Sequence, residues 1–391
     1  MKVEAKPQSS AVQTFDEEAR EEEEANSDAD CAAWVPWIPH KVRVYGALFL
    51  VQLIFASNIV LVRYATRFVP SLAVIIGRQI VCTLALFAVT LKHDGSQRFN
   101  VQRCHWKYFL IPGGLLGVCG HLFLVSFGIQ STNAVTATIF ATSRPLFSAL
   151  TIIALGLGKP SKYKFAGLAL GMLGETIAMQ PWNMSLSGSG KSGSTYTIGC
   201  IALGISNACY GMYLVVLKLA IVATIPLPLF LSRVFYVGLL GLIAMLVVMD
   251  SLSLYNGTHL IARPRGENTL MEALWNAPPQ VWAIAIFGGI IVSPIPYALN
   301  GFAIQYVSPI IVALFSNIET PICSALAVFF LSEAVSWHHA LGGVIVAAAV
   351  LVAAMDHSAA VRHLPPWLDA WLDKEDRQRQ QKAVDGVAES G

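Results

Sequence analysis

Long apolar runs alternate with short polar breaks along most of the chain, and the runs are each about 20 residues long, the length at which an α-helix crosses the hydrocarbon of a bilayer. Ten runs are predicted as helices, at roughly 44–63, 71–91, 107–128, 133–154, 163–181, 197–221, 227–249, 281–304, 308–331 and 338–355. Only Ser131-Thr-Asn133 divides the third run from the fourth. One helix of about 45 residues would overshoot a bilayer core of about 30 Å, so a tight turn is expected there.

A pattern returns within these runs. Phe127-Gly-Ile-Gln comes back as Phe302-Ala-Ile-Gln. Pro145 and Ser148-Ala149-Leu150 come back as Pro321 and Ser324-Ala325-Leu326, and Gly167 comes back as Gly342. The offset between the members of each match is the same to within a single position. Apolar composition does not fix an offset. The spans therefore read as two copies of a five-helix unit, residues 41–181 and 197–355, joined by a Gly/Ser-rich linker at 182–196. An odd number of crossings puts the second copy into the membrane upside down. Inverted repeats of this kind recur in secondary transporters, where a site near the midplane is exposed to each side in turn. The fold class expected is all-α, with ten transmembrane helices in two inverted repeats.

Composition sharpens this picture. The chain is 55% hydrophobic and 13% charged, with mean hydropathy +0.59, against about 25% charged for a soluble domain. The charges gather in the tails. Residues 1–40 include the acidic run from Asp16 to Glu24 and are expected to be disordered. Residues 356–391 begin with a short amphipathic segment in which Trp367, Leu368, Trp371 and Leu372 share a face, suited to the inner leaflet. A net charge of +2 gives no nucleic-acid signal. The seven cysteines (31, 82, 104, 119, 200, 209 and 323) lie mostly inside apolar runs, with no CxxC pair or Cys/His cluster. They read as packing residues, and no disulfide, metal or cofactor is expected. Eleven Lys/Arg on one set of flanks against five on the other place both termini in the cytosol. Of two sequons in the opposite loops, Asn256-Gly-Thr is the better glycosylation candidate.

Several residues carry a resemblance to a known family. They are Gly77-Arg78-Gln79, Ser232-Arg233, Gly128-Ile-Gln-x-x-Asn-Ala134 leading to Pro145, and Ala303-Ile-Gln-x-x-Ser-Pro309 leading to Pro321, Glu333 and Gly342. Over about 45–355 the chain resembles the EamA-like ten-helix branch of the drug/metabolite transporter superfamily. The resemblance implies a transporter of small organic metabolites. It departs where the family commonly closes span four with a glutamate. Leu157-Gly158-Lys159 stands there, so Glu333 has no first-copy counterpart.

Charges inside a membrane cost about 2.5–3.5 kcal/mol on insertion scales and are functional candidates by default. Arg144 precedes Pro145 and Glu319 lies two residues before Pro321, so both fall near expected kinks in matched spans. They read as a pair across the repeats, either structural or engaged with substrate: Arg144 with an anionic group, Glu319 with an amino group or a coupling proton. Asn133, Thr142, Tyr210, Tyr297, Asn300 and Asn317 supply hydrogen-bonding groups at the same depth for substrate binding. Arg144 reads as the only deep cation. Arg78 and Glu175 also stand out as charges inside spans; Arg78 and Arg233 have the alternative of snorkelling toward the faces, and with Glu333 a structural role.

No HExxH, paired intramembrane aspartates or GxSxG motif is present, so no enzyme is expected. No Walker A sequence is present for a primary pump. The competing readings are a nucleotide-sugar or sugar-phosphate exchanger of the same superfamily, and a non-transporting membrane scaffold or receptor. The partners expected are a small-molecule substrate, with or without a coupling proton, and the lipid of the plasma membrane or an internal membrane.

Overall fold

The computed structural model describes residues 39–65, 68–93, 105–131, 140–141, 143–157, 161–179, 193–256, 270–319, 321–322, 325–326, 337–354, 365 and 370. Among them every regular element is helical and none is a strand. The chain divides into two compact units, Met1–Gly46 and Ala47–Gly391. The described part of the first, residues 39–46, is the opening of the first helix. Both expected tails fall almost wholly outside the described residues.

The helices are α1 (His40–Ala65), α2 (Ser71–His93), α3 (106–131), α4 (Arg144–Ala154), α5 (Lys162–Met179), α6 (Gly193–Val222), α7 (Leu227–Asn256), α8 (Leu270–Trp275), α9 (Pro279–Tyr306), α10 (Pro309–Ile318) and α11 (Trp337–Ala354). Helical residues lie at each of the ten apolar runs, and α8 is an added short helix before α9. Among the described residues five segments are long and apolar enough to cross a membrane: Leu72–Lys92, Trp106–Gly128, Thr197–Val222, Leu227–Val248 and Pro279–Tyr306. The described parts of spans four and nine, α4 and α10, are shorter apolar helices. Asn256 is the last residue of α7, and α6 already begins at Gly193, inside the expected linker.

Large apolar side chains point outward along several helices: Leu84 is 65% exposed, Leu173 56%, Ile201 57%, Val247 55% and Val344 68%. Apolar surface this extensive along helices this long suits lipid better than water.

Lipid gives helices no hydrophobic reason to associate, so close van der Waals approach must hold them together. Two glycine pairs supply it. In α3 a Cβ on Gly114 would stand 2.6 Å from Val237 Cβ and 2.8 Å from the Val234 carbonyl of α7. In α9 a Cβ on Gly289 would stand 2.6 Å from Val81 Cβ and 2.7 Å from the Arg78 carbonyl of α2. The preceding glycines match as well, Gly113 facing Val234 and Gly288 facing the Arg78 stem. The two pairs are separated by the same offset that relates the matched motifs of the apolar runs. Each also opens a π-helical turn, Gly114–Gly120 in α3 and Gly288–Val292 in α9. Prolines stand close by, Pro112 just before the first turn and Pro294 just after the second. Each removes one helical donor and favours a local change of winding.

Further packing joins α5 to α11, α6 to α3 and α4, α7 to α2, and α4 to α10. The turn from α6 to α7 is closed by Ile225 N–H to the Ala220 carbonyl (3.0 Å) and Thr224 N–H to the Ile221 carbonyl (2.9 Å). Thr224 itself sits at φ 57°, the left-handed position that glycine usually fills at a helix C-terminus.

Gly114→Ala and Gly289→Ala should each destabilise the protein by about 1–3 kcal/mol, because the new methyl meets backbone as well as side chain. Thr224→Gly should stabilise it by about 1 kcal/mol by removing left-handed strain. Thermal unfolding in detergent checks all three.

Candidate functional site

The site is built where α4, α6, α9 and α10 meet. At the start of α4 the chain turns at Ser143, whose N–H and hydroxyl both bond the Phe140 carbonyl, at 3.1 and 2.6 Å. Pro145 then occupies the first turn of α4, where its missing N–H costs nothing. Gly211 of α6 seats this start: a Cβ there would lie 2.8 Å from the Arg144 carbonyl and 3.0 Å from Ser148 N. Ser148 in turn donates to the Gly211 carbonyl at 3.0 Å.

Arg144 is thereby fixed against α6. Its Nε donates to Asn207 Oδ1 at 2.8 Å, and its guanidinium lies 5.2 Å from the centre of the Tyr210 ring. Its terminal nitrogen is 3.5 Å from Glu319 Oε2, with the two side chains 12% and 14% exposed. Glu319 is delivered by α10, which tightens to a 3₁₀ turn at Ser316–Ile318 immediately before it. Pro321 follows, and without an N–H it leaves the Asn317 carbonyl without its helical donor. The structure thus brings Arg144 and Glu319 together.

Other expected residues surround this pair. Asn300 donates to the Tyr210 hydroxyl at 3.3 Å, and its Oδ1 is buried without a protein partner. Tyr297 donates to the Gly117 carbonyl in the π turn of α3 at 3.2 Å. Tyr210, Tyr213 and Tyr297 form one aromatic cluster, with His121 4.8 Å from Tyr210 and Phe235 4.9 Å from Tyr297 between ring centres. The Tyr213 hydroxyl also has no protein partner. Asn317 is 1% exposed, and both ends of its amide are unpartnered. It abuts Gly171 of α5, where a Cβ would come within 2.7 Å of its Nδ2. Asn133, Thr142 and Glu333 lie outside the described residues.

Arg78 is an intramembrane charge and not a snorkelling one. It is 8% exposed and buried between α2 and α9, so it does not snorkel, and Arg144 is not the only deep cation. Among the described residues its side chain reaches Asn58 Oδ1, at 3.5 Å. Arg233 is half-buried with its guanidinium 5.9 Å from the Trp106 ring centre.

Some contributors were not singled out from sequence. Ser206 donates to the His121 carbonyl at 2.9 Å and lies 2.9 Å from His121 Nδ1. Lys218, one of the cations assigned to the loop flanks, is 4% exposed and donates to the Ile304 and Gln305 carbonyls at 2.8 and 2.9 Å. It caps the C-terminal end of α9, where a cation also meets the helix dipole favourably. Gly211 was missed because its partner is backbone, which no side-chain pattern reveals.

Lipid-exposed apolar faces, helices long enough to span and a polar core sealed among them define an integral, multi-pass, helical membrane protein. Residues 43–179 match the EamA-like transporter family, part of the drug/metabolite transporter superfamily. A solved structure described as "Crystal structure of protein" has a similar fold, with TM-score 0.59 at 14% identity over 80% of this chain and 97% of that one. No curated protein matches the chain.

Arg144→Met should destabilise the protein by about 3–5 kcal/mol, because it strands Glu319 in the core. Adding Glu319→Met should recover part of that loss. A double-mutant cycle on unfolding in detergent reads the coupling directly.

Proposed function

We propose that this protein is a transporter of small organic metabolites, secondary-active or facilitative, that works by alternating access around the Arg144–Glu319 pair. The observation that carries this reading is the looseness of the pair. Its 3.5 Å separation exceeds the roughly 2.7–2.9 Å of a strong charge-assisted hydrogen bond. A solute with charged ends can exchange into such a pair, its anionic group taking Arg144 while Glu319 meets an amino group or a coupling proton. Asn207, Tyr210 and Asn300 stand beside the pair to orient the solute. The family match over the first half supports transport as the activity.

Repetition supports the alternating mechanism. The glycine pairs of α3 and α9 make equivalent crossings on α7 and α2, and the pair itself joins α4 to α10, the counterparts across the two copies. On this reading residues 41–181 and 197–355 are inverted five-helix repeats, and their rocking exposes the pair to each side. Both termini then face the cytosol, and the membrane is the plasma membrane or an internal one. Arg78 favours a second reading within the same class, a nucleotide-sugar or sugar-phosphate exchanger, since phosphate needs more cations than Arg144 alone provides.

The test is flux into liposomes carrying the purified protein, over a panel of amino acids, organic acids and sugar phosphates with and without a pH gradient. Glu319→Gln should lower flux about tenfold to a hundredfold, the value of a lost charged hydrogen bond, and flatten its pH dependence. A variant that transports with the wild-type pH profile refutes the coupling proton. Absence of flux across the panel favours a scaffold or receptor.

A further inference from the structure

We infer that Arg78 forms an anion subsite of its own, apart from the Arg144–Glu319 pair, and that it receives a carboxylate of the transported solute. The inference rests on the transporter reading above and names the charge class of its substrate.

A guanidinium presents five donors. At Arg78 the acceptor among the described side chains, Asn58 Oδ1, stands at the 3.5 Å margin of hydrogen bonding, and Nε is sealed from solvent without a partner. No carboxylate pairs with Arg78 among the described side chains, and Glu319 is already engaged with Arg144. Among the described residues the groups facing Arg78 include Asn58, Cys82, the Ser293 hydroxyl bonded to Cys82, Tyr297 and His121. None of these supplies a compensating negative charge. Tyr297 lies within electrostatic reach of both Arg78 and Arg144. The two cations therefore flank one aromatic cluster that holds a single described carboxylate.

The repeated helix crossing provides an internal control. Gly288 and Gly289 pack on Arg78 and Val81, and the equivalent Gly113 and Gly114 pack on Val234 and Val237. The same close approach is made in the other half with valine in the place of arginine. Packing therefore requires no charge at position 78. A solute with one more negative than positive charge restores the balance of the core. A single guanidinium fork matches a carboxylate in two parallel hydrogen bonds.

The experiment follows the melting temperature of the full-length protein in detergent with acetate or benzoate titrated against chloride at matched ionic strength. The wild type should gain stability saturably with either small carboxylate. Arg78→Gln and Arg78→Val should weaken that binding about tenfold to a hundredfold, while Arg233→Gln keeps it. Unchanged binding in Arg78→Val, or no wild-type response to either probe, overturns the subsite. If both variants misfold, phenylglyoxal labelling of Arg78 in the wild type, read by mass spectrometry, decides: benzoate must slow it, and unslowed labelling overturns the proposal. Liposome flux separates the two readings. An Arg78-dependent carboxylate response in a protein that moves no solute defeats transport and leaves the subsite standing. Flux that depends on Glu319 in a protein without the response defeats the subsite alone.

Discussion

Backbone-to-backbone approach at the glycine pairs is the constraint on which the rest of this structure depends. In a bilayer the lipid is as apolar as leucine, so burying leucine between helices gains little. Removing side chains at Gly113, Gly114, Gly288 and Gly289 lets α3 settle onto α7 and α9 onto α2 until the only space left is that of a hydrogen atom. These contacts tie together four long helices from both halves of the chain. They also bring the Tyr213 ring over Gly117, where no side chain would fit. The aromatic cluster is therefore a consequence of the crossings and has little freedom to form elsewhere.

Polar groups inside this frame are satisfied to very different degrees. Lys218 donates to two carbonyls at the end of α9, and Ser148 and Gly211 join α4 to α6 through one hydrogen bond. These groups lock helices together. Elsewhere in the core the accounting is incomplete: Asn300 Oδ1, the Tyr213 hydroxyl and both ends of the Asn317 amide are buried without partners among the described residues. Unpaired buried groups cost about 1–3 kcal/mol each. Unpartnered buried groups also occur at Gln52, Gln79, Ser126 and Ser308, so they mark the polar core as a whole and not the Arg144–Glu319 pair alone.

Backbone irregularity falls in the same region. The π turns of α3 and α9 and the 3₁₀ turn of α10 are positions where helical hydrogen bonding changes register. Such turns relax locally at less cost than a regular helix. One of them presents the Gly117 carbonyl to Tyr297, and another immediately precedes Glu319.

How much was legible in the sequence follows from what each signal depends on. Span length and apolarity are one-dimensional, so helices were found at each of the apolar runs. The constant offset between matched motifs is one-dimensional too, and the glycine crossings fall on it. Arg144 and Glu319 could be paired on paper because each stands beside a proline in corresponding spans. Arg78 stood between two readings, since a residue near the middle of an apolar run looks the same whether it turns to the headgroups or into the protein. Its burial is decided by Gly288, which is distant in the chain and adjacent in the fold. The same holds for Lys218, which looks like a loop cation until the end of α9 is brought against it, and for Gly211, whose role exists only because the start of α4 leans on it. The sequence by itself determined a helical membrane protein with a recurring motif pattern and charges at matched places. Tertiary structure decided which charges are compensated, because compensation depends on distances between helices that only their packing sets.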